Sequence, residues 1–385
     1  MDPDEVVRRR LVAQRLRGPG LASPDDVVRH LLAVQAQEFP YARWSLAQRT
    51  RFPGAGRVTA GDVEQAVADG RILRTHILRP TWHFVHRDDL RWLMALSAPR
   101  LHQGNETTYR RTGIDGATAE RSAQVLADAV RGGRHLTRDQ LAVRLQDAGF
   151  DADGLRLAYL IMHAEAGSVL VSGSPVRSPG GALKQTYALF DERVPPAPAI
   201  PVSRDEALGR LARRYFTSRG PATLKDCAGW SGLTVTDVRR GLHVAQEAYP
   251  DALAAMVMDG VEFYFDAAAE DGGAPAPPVG TLPQIDLIQC YDEYIMGYFP
   301  TRHYLGGAAP AFPTAGAPLH VVLLDGRMAG SWRHTMFPGR CELDIRLTRA
   351  GAVGRAVQDA VDRYGSFLGV PTVLVHSGAK LEGHI

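Results

Sequence analysis

The 385-residue sequence predicts an α+β fold, three tandem winged-helix modules followed by a small antiparallel β-domain. Three observations carry that reading. Helices followed by an extended ribbon recur in the same order three times. Proline- and glycine-rich stretches at 195–201 and 267–280 interrupt the pattern. Beyond the second stretch the chain alternates as short strands with Asp-Gly and Pro-Gly at the turns. Length agrees, because a single core seldom serves more than about 250–300 residues. The expected units are 1–115, 116–194, 202–266 and 281–385.

The first unit opens on "SPDDVVRHLLAVQAQ", with a serine N-cap, a proline at the first helical position and two aspartates in the first turn. Val27, Leu31 and Val34, with Val28 and Leu32, form an apolar stripe at helical spacing, so a helix is expected to run to about Gln37. "TAGDVEQAVADGR" gives a second capped helix over 59–68, and "ILRTHILRPTWHFVH" is rich in β-branched and aromatic residues and reads as strands.

The second unit repeats the order. "HLTRDQLAVRLQDAGF" is a helix capped at Thr137, "LRLAYLIMHAEAGSVLVSG" a helix running into a strand, and "KQTYALFDERV" a ribbon. The stiff "PPAPAIP" separates it from the third unit. There a helix-turn-helix rhythm, with Thr223 and Thr234 as caps, leads to "MVMDGVEFYF", a hairpin on Asp-Gly. In the last unit "LHVVLLDGRMAGSWRHTMFPGRCELDIRL" is an antiparallel meander, followed by one helix over 352–367.

Composition excludes several classes. No run of 18 apolar residues exists, so no membrane span is expected, and the acidic-then-basic start has no apolar signal segment. Cys227, Cys290 and Cys341 are too scattered for a disulfide framework or a metal site. The expectation is a cytoplasmic chain with no cofactor and no metal. Net charge is +2, which alone implies no polyanionic partner. The only lysines are Lys184, Lys225 and Lys380, and the arginine load matches a GC-rich genome. Residues 71–111 nevertheless carry eight arginines against three acids, a local hint of an electropositive surface.

Together, "AVQAQEFPYARWSLAQR", "HILRPTWHFVHRDDLRWL", "RYFTSRGPATLKDCAGWSGL" and "YDEYIMGY" resemble the bacterial winged-helix DNA glycosylases of the AlkZ and YcaQ type, over roughly residues 5–370. The resemblance implies a C-shaped clamp on duplex DNA that hydrolyses the N-glycosidic bond of N7-alkylated purines, including bulky antibiotic adducts and crosslinks. Its catalytic Gln-apolar-Gln motif matches Gln35-Ala36-Gln37. The YcaQ branch has Asp at the second position, so this chain resembles the self-resistance branch of actinomycetes that make DNA-alkylating natural products.

In an ideal helix residues two apart point about 200° away from each other, so Gln35 and Gln37 would not share a target. Pro40 disfavours helix at Phe39, and an early helix end would let the two amides converge. Otherwise they cap the last carbonyls. Amides are poor general bases. An N7-alkylguanine, however, is a cationic, activated leaving group. It needs only a positioned water and dipoles facing an oxocarbenium-like transition state. On the ribbon, Thr75, Arg79, Thr81 and His83 fall on one face, to line the site or meet phosphates, while Leu78, Trp82 and Phe84 fall on the other. His83 reads equally as a core histidine. Tyr41 and Arg43 are groove or core residues, and Trp44 is core. Arg327, Arg333 and His334 would project from a basic hairpin as a minor-groove probe, or serve only as a charged strand edge. Asp292 and Glu293 are the rival acid/base pair.

The competing function is a non-catalytic winged-helix regulator or lesion-binding protein. A regulator places basic side chains at the start of its recognition helix and often dimerises. In "TVTDVRRGL" the arginines, Arg239 and Arg240, come late. A monomeric clamp on double-stranded DNA containing alkylated guanine fits better. An enzyme for small N7-alkyl lesions alone differs only in pocket width. No base-flipping wedge is identifiable.

Overall fold

The computed structural model describes residues 2–51, 56–178, 181–197, 199–269, 283–306, 320–348 and 354–375. Most of the second linker, 270–280, lies outside the described residues. The fold is α+β, helices interleaved with small sheets.

Helix α1 (Pro3–Ala13) is capped by Asp2, and α2 (Pro24–Leu31) by Ser23 with Pro24 at its first position. Here the structure departs from the sequence expectation. The helix stops at Leu31, Leu32 turns through φ +66°, and Ala33–Gln35 form a strand, β1. After β1 come α3 (Phe39–Ala47) and α4 (Ala60–Ala68), the latter with a Thr59–Asp62 capping box. Strands β2 (Ile72–Ile77) and β3 (Arg79–His86) make a hairpin, and β1 adds to β3 to give the order β1-β3-β2. Helix α5 (Arg87–Arg111) follows directly, 25 residues long with Pro99 inside it.

The second segment contains α6 (Gly116–Val130), β4 (Leu136–Thr137), α7 (Arg138–Asp147) and α8 (Gly154–Ala166). Strands β5 (Leu170–Ser172), β6 (Val176–Arg177), β7 (Leu183–Lys184) and β8 (Thr186–Leu189) then form one sheet, β4-β8-β5, and one small hairpin. A single turn, α9 (Phe190–Arg193), closes this segment. The third has α10 (Arg204–Arg219), α11 (Leu224–Ser231) and α12 (Val235–Ala248), with both expected threonine caps in place. Strands β9 (Leu253–Met258) and β10 (Val261–Asp266) meet at Asp259-Gly260, where both φ angles are positive as a tight hairpin turn demands.

The C-terminal sheet has the order β11-β12-β13-β14-β15, from β11 (Ile285–Ile288), β12 (His320–Leu324), β13 (Arg327–Phe337), β14 (Arg340–Leu347) and β15 (Thr372–Val375). A short α13 (Glu293–Met296) lies between β11 and β12 in the chain. The first four strands are antiparallel, as expected. The fifth pairs parallel to β14, because the helix between them, α14 (Gly354–Leu368), carries the chain back across the sheet.

The β1-β3-β2 sheet is buried on both faces, which explains the unbroken apolar run before Gln35. On one face Ala33, Leu73 and Val85 pack with Leu211, Tyr215 and Trp230 of the third segment. On the other, Val34, Phe84 and Ile72 pack with Trp332, Leu343 and Tyr364 of the C-terminal sheet and α14. Gly232 sets the closeness of the first contact. It ends α11 in the left-handed region, φ +71°, and a Cβ there would stand 2.6 Å from the Leu78 carbonyl oxygen.

Candidate active site

The extended course continues beyond β1, since the Ala36 N–H donates to the Trp82 carbonyl at 2.7 Å. Gln37 then lies in a bend, and its Oε1 accepts from the Trp82 N–H, so both glutamines reach β3, Gln35 opposite His83 and Gln37 at Trp82. The opposition expected of helical geometry is absent. The register runs Gln35↔His83 and then His83↔Thr75; past a register shift at His76/Ile77, Arg79 pairs with Ile77 and reaches Gln35 Oε1, and the Thr81 carbonyl meets His83 Nδ1. The structure therefore brings together both glutamines and the four ribbon residues.

Each glutamine is held differently. Gln35 is 2% exposed. Its side-chain Oε1 accepts from Arg79 Nη2 at 2.7 Å, its N–H donates to Glu293 Oε1 at 2.8 Å, and its carbonyl accepts from Gln289 Nε2 at 3.3 Å. Gln37 is exposed, and its Oε1 accepts one long bond from the Trp82 N–H at 3.3 Å. Arg74 anchors the main chain between them, donating to the Ala36 and Gln37 carbonyls at 2.8 and 3.2 Å with its guanidinium stacked on Trp82. Burial draws both Arg74 and Arg79 down to about 10, so both remain cations at neutral pH.

Beneath the glutamines lies a polar row. His83 is fully buried, and its Nδ1 lies 2.9 Å from the Thr81 carbonyl, which assigns the proton to Nδ1. Nε2 is then an acceptor. That atom, Thr75 Oγ1 and Thr81 Oγ1 are buried without a hydrogen-bond partner among the described residues. Burial, with the Arg79 charge second, holds the His83 pKa well below its ordinary value, so the ring is neutral.

The other expected residues stand elsewhere. Tyr41 is buried in α3, stacked on His334 at 4.5 Å between ring centroids, while His334 Nδ1 lies 2.7 Å from the Tyr364 hydroxyl. Arg43 is buried and paired with Glu64, and Trp44 is core, its indole N–H donating to the Leu287 carbonyl. Arg327 lies at the β12–β13 turn against Asp4 and the Tyr304 carbonyl, whereas Arg333 is mid-strand, 3.8 Å from Asp344. The three basic residues do not share one hairpin tip. Asp292 and Glu293 are both 0% exposed and fully engaged, Asp292 with Arg49 at 2.7 and 2.9 Å, Glu293 with Arg219 at 2.6 Å. With each carboxylate oxygen already taken by a protein donor, they are unsuited to the rival acid/base role.

One cluster has metal-ligand chemistry: Glu38, Cys290 and His320 offer atoms within 4.8 Å of one another. The Cys290 N–H donates to His320 Nδ1 at 3.2 Å, which leaves the ring proton on Nε2, the atom 3.6 Å from Glu38. The imidazole thus turns a proton, not a lone pair, toward its neighbours. The residues do not fit a metal. Sequence reasoning missed Arg74, Gln289 and Arg219 altogether, and no local signal marks them.

A family model for DNA glycosylases matches residues 28–367, most of the chain, and so defines the class of enzyme. The model is described as DNA glycosylase AlkZ-like, and the chain belongs to that family, with DNA as its partner. Among solved structures it is similar to the Streptomyces sahachiroi DNA glycosylase AlkZ, at a TM-score of 0.70 and 22% identity, covering 97% of this chain and 100% of that one. At that identity the likeness speaks for the fold. None of the curated proteins matches the chain significantly. Among the described residues, no helix is long and apolar enough to cross a membrane.

Proposed function

We propose that the chain excises bulky N7-alkylguanine adducts of a DNA-alkylating natural product, as a monomeric clamp of three winged-helix modules and a β-domain, and that Gln35 and Gln37 carry the reaction. Crosslink unhooking is the same chemistry performed on each attached strand. The observation that supports this most is that both glutamines reach β3, Gln35 opposite His83 and Gln37 at the Trp82 N–H, next to the buried Thr75, Thr81 and His83. A row of buried polar atoms without protein partners belongs beside a polar ligand or water, not in a packed core.

The chemistry asks little of a base. Water oxygen bonds to C1′, the C1′–N9 bond breaks, its electron pair neutralises the cationic purine, and the water releases a proton. A carbonyl oxygen has two lone pairs. Arg79 occupies one on Gln35, which fixes that amide. Gln37, open and weakly held, is the better acceptor for the attacking water. Neutral His83 adds no charge to repel the lesion. The pair divides the work: one amide is fixed, the other orients water.

The test uses two duplexes, one with a single N7-methylguanine and one with a bulky N7-guanine adduct. Abasic sites are measured after alkaline cleavage. Release from the bulky duplex, lost in Gln37→Ala, is expected. Tight binding with no abasic sites would make this a lesion-binding protein, and release from N7-methylguanine alone would restrict it to small lesions.

A further inference from the structure

We infer that Glu293 is a positioning residue for base excision: its buried carboxylate sets where Gln35 stands. The inference rests on the reading of Gln35 as part of the reaction site. Strand β1 is an edge strand, and Gln35 occupies a register position whose N–H and C=O point away from β3. Among the described residues no further strand pairs with that edge. Side chains take its place. Glu293 Oε1 accepts the Gln35 N–H, Gln289 Nε2 donates to the Gln35 carbonyl, and Arg219 donates to the Leu31 and Ala33 carbonyls at 2.8 and 3.0 Å.

Glu293 is also the centre of a closed circuit. Its second oxygen, Oε2, accepts from Arg219 Nη2 at 2.6 Å and from Trp230 Nε1 at 2.8 Å. Arg79, which holds the Gln35 side chain, donates in turn to the Trp230 carbonyl. Main chain and side chain of Gln35 are therefore tied to the same tryptophan by two routes. A fully buried ion pair is an expensive way to close a strand edge, since apolar replacements are often as stable. What it supplies is a fixed location for one residue. Glu293 is fully enclosed, so it reaches the substrate only through Gln35.

The test is Glu293→Asp, which shortens the reach by one methylene and so releases the Gln35 N–H before the Arg219 pair. Single-turnover excision should fall about 10²-fold, the cost of a displacement of roughly 1 Å at a reaction site. The dissociation constant for lesion DNA should stay within about threefold, because the site's DNA-facing groups are untouched. In a Gln35→Ala background the substitution should cost nothing more, since its effect passes through that residue. If Glu293→Asp does not fold, Trp230→Phe removes one donor from the carboxylate and should give a smaller loss with the same dependence on Gln35. Excision at the wild-type rate in the folded variant, or a loss that multiplies with that of Gln35→Ala, would overturn the inference. Wild-type excision by Gln35→Ala alone would instead overturn the reading of Gln35.

Discussion

Substituting the two glutamines separately should split stability from activity. Gln35→Ala removes the acceptor for Arg79 Nη2 and leaves a charged donor buried without that partner. Such orphaning costs about 1–3 kcal/mol, and more when the group is charged, so a loss of roughly 2–3 kcal/mol is expected. Gln37→Ala removes only a 3.3 Å bond at an exposed position. Its stability should stay within about 0.5 kcal/mol of wild type. Excision should fall in both variants, in Gln37→Ala without any loss of stability. If Gln37 orients the water, its removal should slow single-turnover release about 10²-fold, or roughly 2.7 kcal/mol of transition-state stabilisation. The assay pairs urea unfolding, followed by tryptophan fluorescence, with rates of abasic-site formation at saturating enzyme. A Gln37→Ala protein with an unchanged midpoint and a wild-type rate would refute the assignment. So would a Gln35→Ala protein as stable as wild type, because the Arg79 contact would then contribute nothing.

Two further predictions concern buried charge. Burial pushes Glu38 up to about 7, from an ordinary 4.5. The folded state then binds that proton more tightly than the unfolded one, so stability present at pH 5 is lost as pH rises through 7. The gap caps the effect at about 3 kcal/mol, and the partly open side chain with the His320 ring proton beside it brings this to about 1–2 kcal/mol. Glu38→Gln should flatten the profile between pH 5 and 8 and exceed wild type at pH 8; a variant with the wild-type slope would place the titration elsewhere. Arg49→Met leaves the Asp292 carboxylate, 0% exposed, without its cation and should cost about 3–5 kcal/mol in denaturant unfolding. Adding Asp292→Asn should recover part of that, and no recovery would mean the arginine matters through its packing alone.

The parts of the fold that could be read in advance are those a few residues decide. Ser23 with Pro24, the Thr59–Asp62 box, Thr137, Thr223 and Thr234 start helices where expected, and Asp259-Gly260 and Asp325-Gly326 turn hairpins. Helix α5 went unread because Pro99 and a dense mixture of charges hide its apolar stripe. The pairing of Thr75 with His83 on one face was legible, because period two is a local property, whereas Leu78 turns the hairpin at φ +63° and packs with Ala33 and Leu73, not with Phe84.

The decisive element was not local. "LLAVQAQ" is an apolar run that suits a helix or a doubly buried strand equally, and periodicity cannot separate the two. Partners far along the chain choose between them. Pairing with β3 favours the strand, Arg219 takes the carbonyls that leaving the helix exposes at Leu31 and Ala33, and Glu293 accepts from Gln35 across 258 positions. A helix through Gln37 would satisfy its own N–H and C=O groups and leave those buried side chains without work, at a cost of several kcal/mol. The charged residues that overrule local propensity are thus the ones that bring the two amides to the same strand, β3. It follows that disturbing Arg219 or Glu293 should affect excision as well as stability.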